Sequence, residues 1–130
     1  MTEDHRDAAL SPSEQATIRD LLDADRRRTT DRIALLGRDR EELVTASAQT
    51  TADDEHDPEG TSTAFERAHV QSLLDQARTH LAELDRAFER LRDGTYGTCE
   101  ICGQPIPFER LKLLPAIKTC VKCASRRRPR

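Results

Sequence analysis

Tyr96-Gly97-Thr98-Cys99-Glu100-Ile101-Cys102-Gly103, answered with 17 residues between Cys102 and Cys120 by Cys120-Val121-Lys122-Cys123, is the stretch on which the reading of this chain turns. Two residues between cysteines let a tight turn aim both sulfurs at one ion, with backbone N–H groups donating to the thiolates. Gly103 suits that turn because glycine tolerates positive φ. A second such pair about 15–20 residues on completes the four-cysteine pattern of tetrahedral zinc. Cys99, Cys102, Cys120 and Cys123 are therefore the expected ligands of one structural Zn2+. Four thiolates close the coordination sphere and leave no position for a reactive water, which argues against a catalytic metal. An iron–sulfur cluster uses the same ligand type and stays open as an alternative. A redox dithiol fits less well, since two matched pairs are present rather than one. Tyr96, Ile101, Ile106, Phe108, Leu111 and Leu113 are expected to pack around the metal as a small core.

Upstream of the finger the sequence reads as two helices. Ser11-Pro12-Ser13-Glu14 is a start signal: Ser11 can cap, Pro12 suits the first helical position, and Glu14 sits where a capping box places it. Ile18, Leu22, Ile33, Leu36 and Leu43 then fall on one stripe, interrupted by polar gaps near Asp25, Thr29 and Arg40, and predict a helix over about 12–50. Residues 53–60, Asp53-Asp54-Glu55-His56-Asp57-Pro58-Glu59-Gly60, hold five acids, no lysine or arginine, and two helix breakers, which reads as an acidic turn. A second helix is expected from Thr61–Thr63, with Thr63 and Glu66 as a capping box. Its seam is Val70, Leu73, Ala77, Leu81, Leu84, Phe88 and Leu91, and it ends at Asp93-Gly94.

The predicted fold class is thus mainly α: a long antiparallel two-helix coiled-coil hairpin followed by a small C-terminal four-cysteine zinc finger. Pairing of single helices between chains is the alternative, disfavoured by one apolar stripe per helix and a compact turn. About 30 helical residues at about 1.5 Å each would give an arm roughly 45 Å long. The expected organisation is a disordered tail at 1–10, the hairpin at 11–93 with its acidic tip at 53–60, the finger at 94–124, and a basic tail at 125–130.

Composition agrees with a thin core. Of 130 residues 35% are hydrophobic and 35% charged, with no Trp, one Tyr and three Phe; that fills a helix seam and a metal-stapled knot, not a thick globule. The formal net charge of −3 hides an asymmetry. Residues 1–60 carry 16 acids and 8 bases, whereas residues 61–130 carry 8 acids and 13 bases. Such polarity suits a partner with both basic and acidic surfaces better than plain DNA. No apolar run reaches transmembrane length and no signal-peptide pattern opens the chain, so a cytoplasmic location is expected, where thiols stay reduced and bind metal. No Ser/His/Asp or Cys/His set has a recognisable spacing, and an enzyme is not expected.

The run from Tyr96 to Gly103, then Ile106, Arg110-Leu111, Pro115 and Cys120-Val121-Lys122-Cys123, resembles the finger of the DksA/TraR family. With the helices included, the resemblance covers roughly residues 12–124. It implies a transcription regulator that binds RNA polymerase directly rather than DNA. In that family the finger docks at the rim of the enzyme's secondary channel, and acidic residues at the hairpin tip act near the active-site elements to modulate initiation, often together with ppGpp. The resemblance implies polymerase-binding tip residues Asp54, Asp57 and Glu59 and a docking residue Arg110, in a monomer without sequence-specific DNA binding and without a membrane. The family tip commonly reads Asp-x-x-Asp-x-Ala; here Asp54-x-x-Asp57-x-Glu59 lacks the alanine. The places where ppGpp-binding members carry finger-side basic residues hold Leu114, Ala124 and Glu83, so that site is expected to be lost, since a multiply charged anion needs cations. The helix that members often carry after the finger is expected to be nearly absent. The competing readings are a finger that binds nucleic acid through Arg126, Arg127, Arg128 and Arg130, and a zinc-finger adaptor for another protein.

Overall fold

The computed structural model describes residues 10–51 and 58–127. Four helices account for most of them: α1 (Pro12–Thr51), α2 (Pro58–Asp93), α3 (Phe108–Leu113) and α4 (Val121–Arg127). Between α2 and α3 lies an isolated antiparallel bridge, Thr98 to Pro105. No described helix is long and apolar enough to cross a membrane.

The start of α1 is the reciprocal box its sequence encodes. The Ser11 N–H donates to Glu14 Oε1 at 2.9 Å, and the Glu14 N–H donates to Ser11 Oγ at 3.0 Å, so two N–H groups that a helix start leaves unpaired are satisfied. The end of α2 is also as read. Gly94 takes φ +80°, and the Thr95 and Tyr96 N–H groups both turn back to the Arg90 carbonyl at 3.0 and 3.2 Å. That reversal is what glycine after a helix permits. The start of α2 differs from expectation: it begins at Pro58, not at Thr61–Thr63. Proline breaks a helix only from its interior. In the first turn its missing N–H removes nothing, and its fixed φ suits the helix.

Packing divides the chain into two compact units, one of residues 1–26 with 82–130 and one of residues 27–81. In the first, Ile18 and Leu22 of α1 meet Leu84 and Ala87 of α2 in one core with Tyr96, Cys99, Ile106, Leu111 and Cys123. In the second, Leu36 of α1 packs with Leu74 and Ala77 of α2, flanked by Ile33, Val70 and Leu73. Early α1 thus pairs with late α2 and later α1 with earlier α2, the order of an antiparallel pair. Leu74 and Ala87 are buried at 2% and 0% exposure, although the single-file seam passed them over for Leu73 and Phe88, which are only half-buried. A core-facing helical stripe is wider than one file, and spacing alone leaves its centre undetermined by a residue. The polar gap at Thr29 is real, with that threonine buried at 6% exposure. In the second unit Arg40 Nε donates to Gln71 Oε1, and Gln71 in turn donates to Asp75 at 2.8 Å.

Candidate metal centre

The first pair of cysteines sits on a tight reversal. The Cys99 N–H donates to the Gln104 carbonyl at 2.8 Å, the Gly103 N–H to the Cys99 carbonyl at 3.0 Å, and the Ile106 N–H to the Gly97 carbonyl at 2.7 Å. Gly97 and Gly103 hold φ of +90° and +75°, which is why glycine stands at both positions. A Cβ at Gly97 would come into ordinary van der Waals contact with Leu111 and Leu10. Leu10 therefore belongs to the packed structure and not to the expected tail at 1–10. Residues 1–9 lie outside the described residues.

The second pair opens α4, where the Ala124 N–H returns to the Cys120 carbonyl at 2.9 Å. Helix α4 starts within the finger and runs on to Arg127, so residues 125–127 are helical rather than tail, and only these three described residues extend the helix beyond 124. The two halves of the finger are tied by the Glu100 N–H to the Lys118 carbonyl at 2.9 Å, by the Tyr96 hydroxyl donating to the Pro115 carbonyl at 2.7 Å, and by Arg110 Nε donating to the Thr119 carbonyl at 3.3 Å. Nothing in the spacing of the motif announced these three ties. Burial of Tyr96 pushes its phenol up to about 12, with the nearby Arg90 charge acting in the opposite direction.

All four cysteine sulfurs lie within 4.8 Å of one another, and Cys102 Sγ stands 3.7 Å from Cys120 Sγ. Four sulfurs about 2.3 Å from one Zn2+ at tetrahedral angles are about 3.8 Å apart, so the donor set fits that ion with little adjustment. The surroundings already favour thiolate at two ligands. Backbone N–H groups, that of Cys102 foremost, outweigh burial and hold the Cys99 thiol down at about 6. The Cys123 N–H lowers Cys120 in the same way. Burial pushes Cys123 up to about 12, helped by the neighbouring thiols. A bound divalent ion reverses that last preference, because a coordinating thiol is deprotonated outright.

Of the expected mini-core, Tyr96, Ile106 and Leu111 are buried and Phe108 is half-buried, but Ile101 is 52% and Leu113 81% exposed. Ile101 occupies the knuckle between two ligands, whose side chain the tight turn directs outward. Leu113 closes the short helix α3 on its open side. Arg110 is half-buried on the Thr119 carbonyl. Asp54 and Asp57 lie outside the described residues. Glu59 stands in the first turn of α2, with its side chain likewise outside them.

With this geometry in hand, the finger defines the class. Residues 94–129 match the prokaryotic dksA/traR C4-type zinc finger. The chain is 35% identical over 75 residues to the YteA protein of Bacillus subtilis (strain 168), covering 58% of this chain and 31% of YteA. It is 28% identical over 94 residues to the RNA polymerase-binding transcription factor DksA of Caulobacter vibrioides, covering 67% of this chain and 66% of that protein. The structure of transcription factor DksA2 from Pseudomonas aeruginosa matches with a TM-score of 0.73 and 28% identity, over 89% of this chain and 84% of that one. The chain spans less than two thirds of the length of these curated relatives. The segment 94–129 is thus a finger of the dksA/traR C4 type, and its four cysteines form a centre that can hold one metal ion.

Proposed function

We propose that this protein binds RNA polymerase directly and regulates transcription initiation. In this reading the finger docks at the rim of the secondary channel, and the acidic turn at 53–60 enters the channel with Asp54, Asp57 and Glu59 as its working carboxylates. The observation that carries the reading is the DksA2 likeness over 89% of the chain, joined to the finger match at 94–129. The polymerase-binding role printed for the Caulobacter relative points the same way. Arg110 is the docking residue. Its Nε is engaged on Thr119, and the same guanidinium has further N–H donors for a partner. The factor acts as a cytoplasmic monomer and not as an enzyme. With Leu114, Ala124 and Glu83 at the three places where ppGpp-binding members carry basic residues, it does so without ppGpp on the finger side.

The test is co-purification of the zinc-loaded chain with its host's RNA polymerase, followed by transcription in vitro with and without the triple change Asp54→Ala, Asp57→Ala, Glu59→Ala. The expected result is a one-to-one complex whose effect on initiation is lost in the variant while binding persists. A photocrosslinker at 53–60 that labels no polymerase subunit refutes the channel mechanism. A pull-down free of polymerase subunits points to an adaptor instead.

A further inference from the structure

Seven large apolar side chains are exposed among the described residues, and four of them, Ile101, Leu113, Leu114 and Val121, lie in the finger. A small domain that leaves so much apolar surface in water does so at some cost, and such surface commonly marks contact sites. Two of the four have a defined place. Ile101 directly precedes Cys102 and Val121 directly follows Cys120, the ligands whose sulfurs stand 3.7 Å apart; Cys102 is itself exposed. Ile101 is 52% and Val121 58% exposed. The hydrogen bond from the Glu100 N–H to the Lys118 carbonyl draws the same two segments together. The residues next in sequence to these two ligands on the exposed side are therefore two branched aliphatics, with the exposed Glu100 beside Ile101.

Cations accompany these aliphatics. Lys122 follows Val121, and Arg126 lies one helical turn further along α4; both are exposed, and Lys118 is half-buried. Among the described residues no carboxylate pairs with any of the three. Single-stranded nucleic acid wants aromatic stacking faces, and the two aromatic rings of the finger are buried or half-buried. Aliphatic contacts with a charged rim instead match the make-up of protein interfaces.

We propose that Ile101 and Val121, with Lys118, Lys122 and Arg126 beside them, form the finger's docking edge for a protein surface that is acidic around an apolar centre. This rests on the polymerase reading and adds which edge of the finger makes the contact and what chemistry it meets. The aliphatic pair supplies the anchor and the cations supply attraction and orientation.

The experiment uses the full, zinc-loaded chain and purified host RNA polymerase, with affinity measured across a salt series. Two variants are compared with the unaltered chain: Ile101→Ser with Val121→Ser, and Lys118→Gln with Lys122→Gln and Arg126→Gln. Zinc content and thermal melting serve as folding controls, and a serine variant that loses zinc is replaced by Ile101→Thr with Val121→Thr. The aliphatic variant is expected to bind roughly tenfold or more weakly at every salt concentration. The charge variant is expected to lose affinity mainly at low salt, flattening the salt dependence. If the unaltered chain binds polymerase and both variants bind equally well, the edge is not the docking surface although the polymerase reading stands. If the unaltered chain does not bind polymerase, both fall. Salt-sensitive retention of duplex DNA that the charge variant abolishes, with polymerase binding unchanged, would reassign the cations to nucleic acid and overturn the proposal.

Discussion

The two compact units draw on the same pair of helices but are stabilised differently. Among the described residues of 1–26 and 82–130, nine buried apolar residues form one core, taken from α1, α2, both cysteine knuckles and α3. In residues 27–81 three do, all from α1 and α2. The first unit adds cross-ties from Tyr96 and Arg110 and a four-thiolate centre; the second adds a buried threonine and an Arg40–Gln71–Asp75 chain. Two paired helices alone bury little. Where the chain needs a fixed platform it brings in a third body, the finger, and makes two metal ligands, Cys99 and Cys123, part of the core. A site whose ligands are also core residues couples metal binding to folding.

The largest expected effect follows from that coupling. Stripping the metal with a strong chelator, or replacing Cys99 with Ser, should unfold the finger; structural zinc contributes about 10–16 kcal/mol in finger peptides. Residue-resolved hydrogen exchange should show protection collapsing across 94–127 and persisting longer within 27–81. Equal collapse in both would erase the distinction between the units. Next in size, Leu84→Ala should cost about 3–5 kcal/mol and Leu36→Ala about 2, read by urea unfolding, because Leu84 is enclosed on all sides whereas Leu36 lies in a thin cluster whose neighbours can relax.

A pH prediction concerns the finger unit alone. The Tyr96 phenol is raised by burial from 10.0 to about 12. The folded state thus favours the neutral phenol, and this contribution is fully present below pH 10 and lost as pH rises through the folded value. Phenolate absorbance of this single tyrosine should titrate near 12 in the folded chain and near 10 in denaturant. A midpoint near 10 in the folded chain would mean that the ring is not held against the finger. The smallest effect belongs to the other unit. Gly37 lies inside α1, and a Cβ there would meet nothing within 4 Å, so Gly37→Ala should stabilise by about 0.5–1 kcal/mol, seen as a raised melting temperature. Destabilisation instead would reveal a requirement for glycine that the helix itself does not impose.

Local chemistry made much of the molecule legible from sequence. The two Cys-x-x-Cys pairs, the Ser11–Glu14 box and the Gly94 stop each act over a few residues, so spacing alone defines them. What depends on neighbours distant in the chain stayed hidden. Ile101 and Leu113 look like core residues by composition, but which side of a knuckle or short helix is covered depends on what packs there, and nothing covers them. Leu74 and Ala87 displaced Leu73 and Phe88 because a helix stripe has width, and only the opposing helix selects its centre. Pro58 read as a breaker yet opens α2, since its effect depends on position within a helix and not on identity.

Turn geometry and apolar periodicity are short-range properties, and from them alone four cysteines gather at one point behind two long helices. The core shared by the helix ends and the finger, the hold of Arg110 on Thr119, and the run of α4 past the last ligand to carry Arg126 come from packing between segments. Burial and hydrogen bonding between segments are set by contacts across 9 to 59 residues of chain, as Arg110 with Thr119 and Arg26 with Asp85 illustrate, and no local pattern encodes those distances.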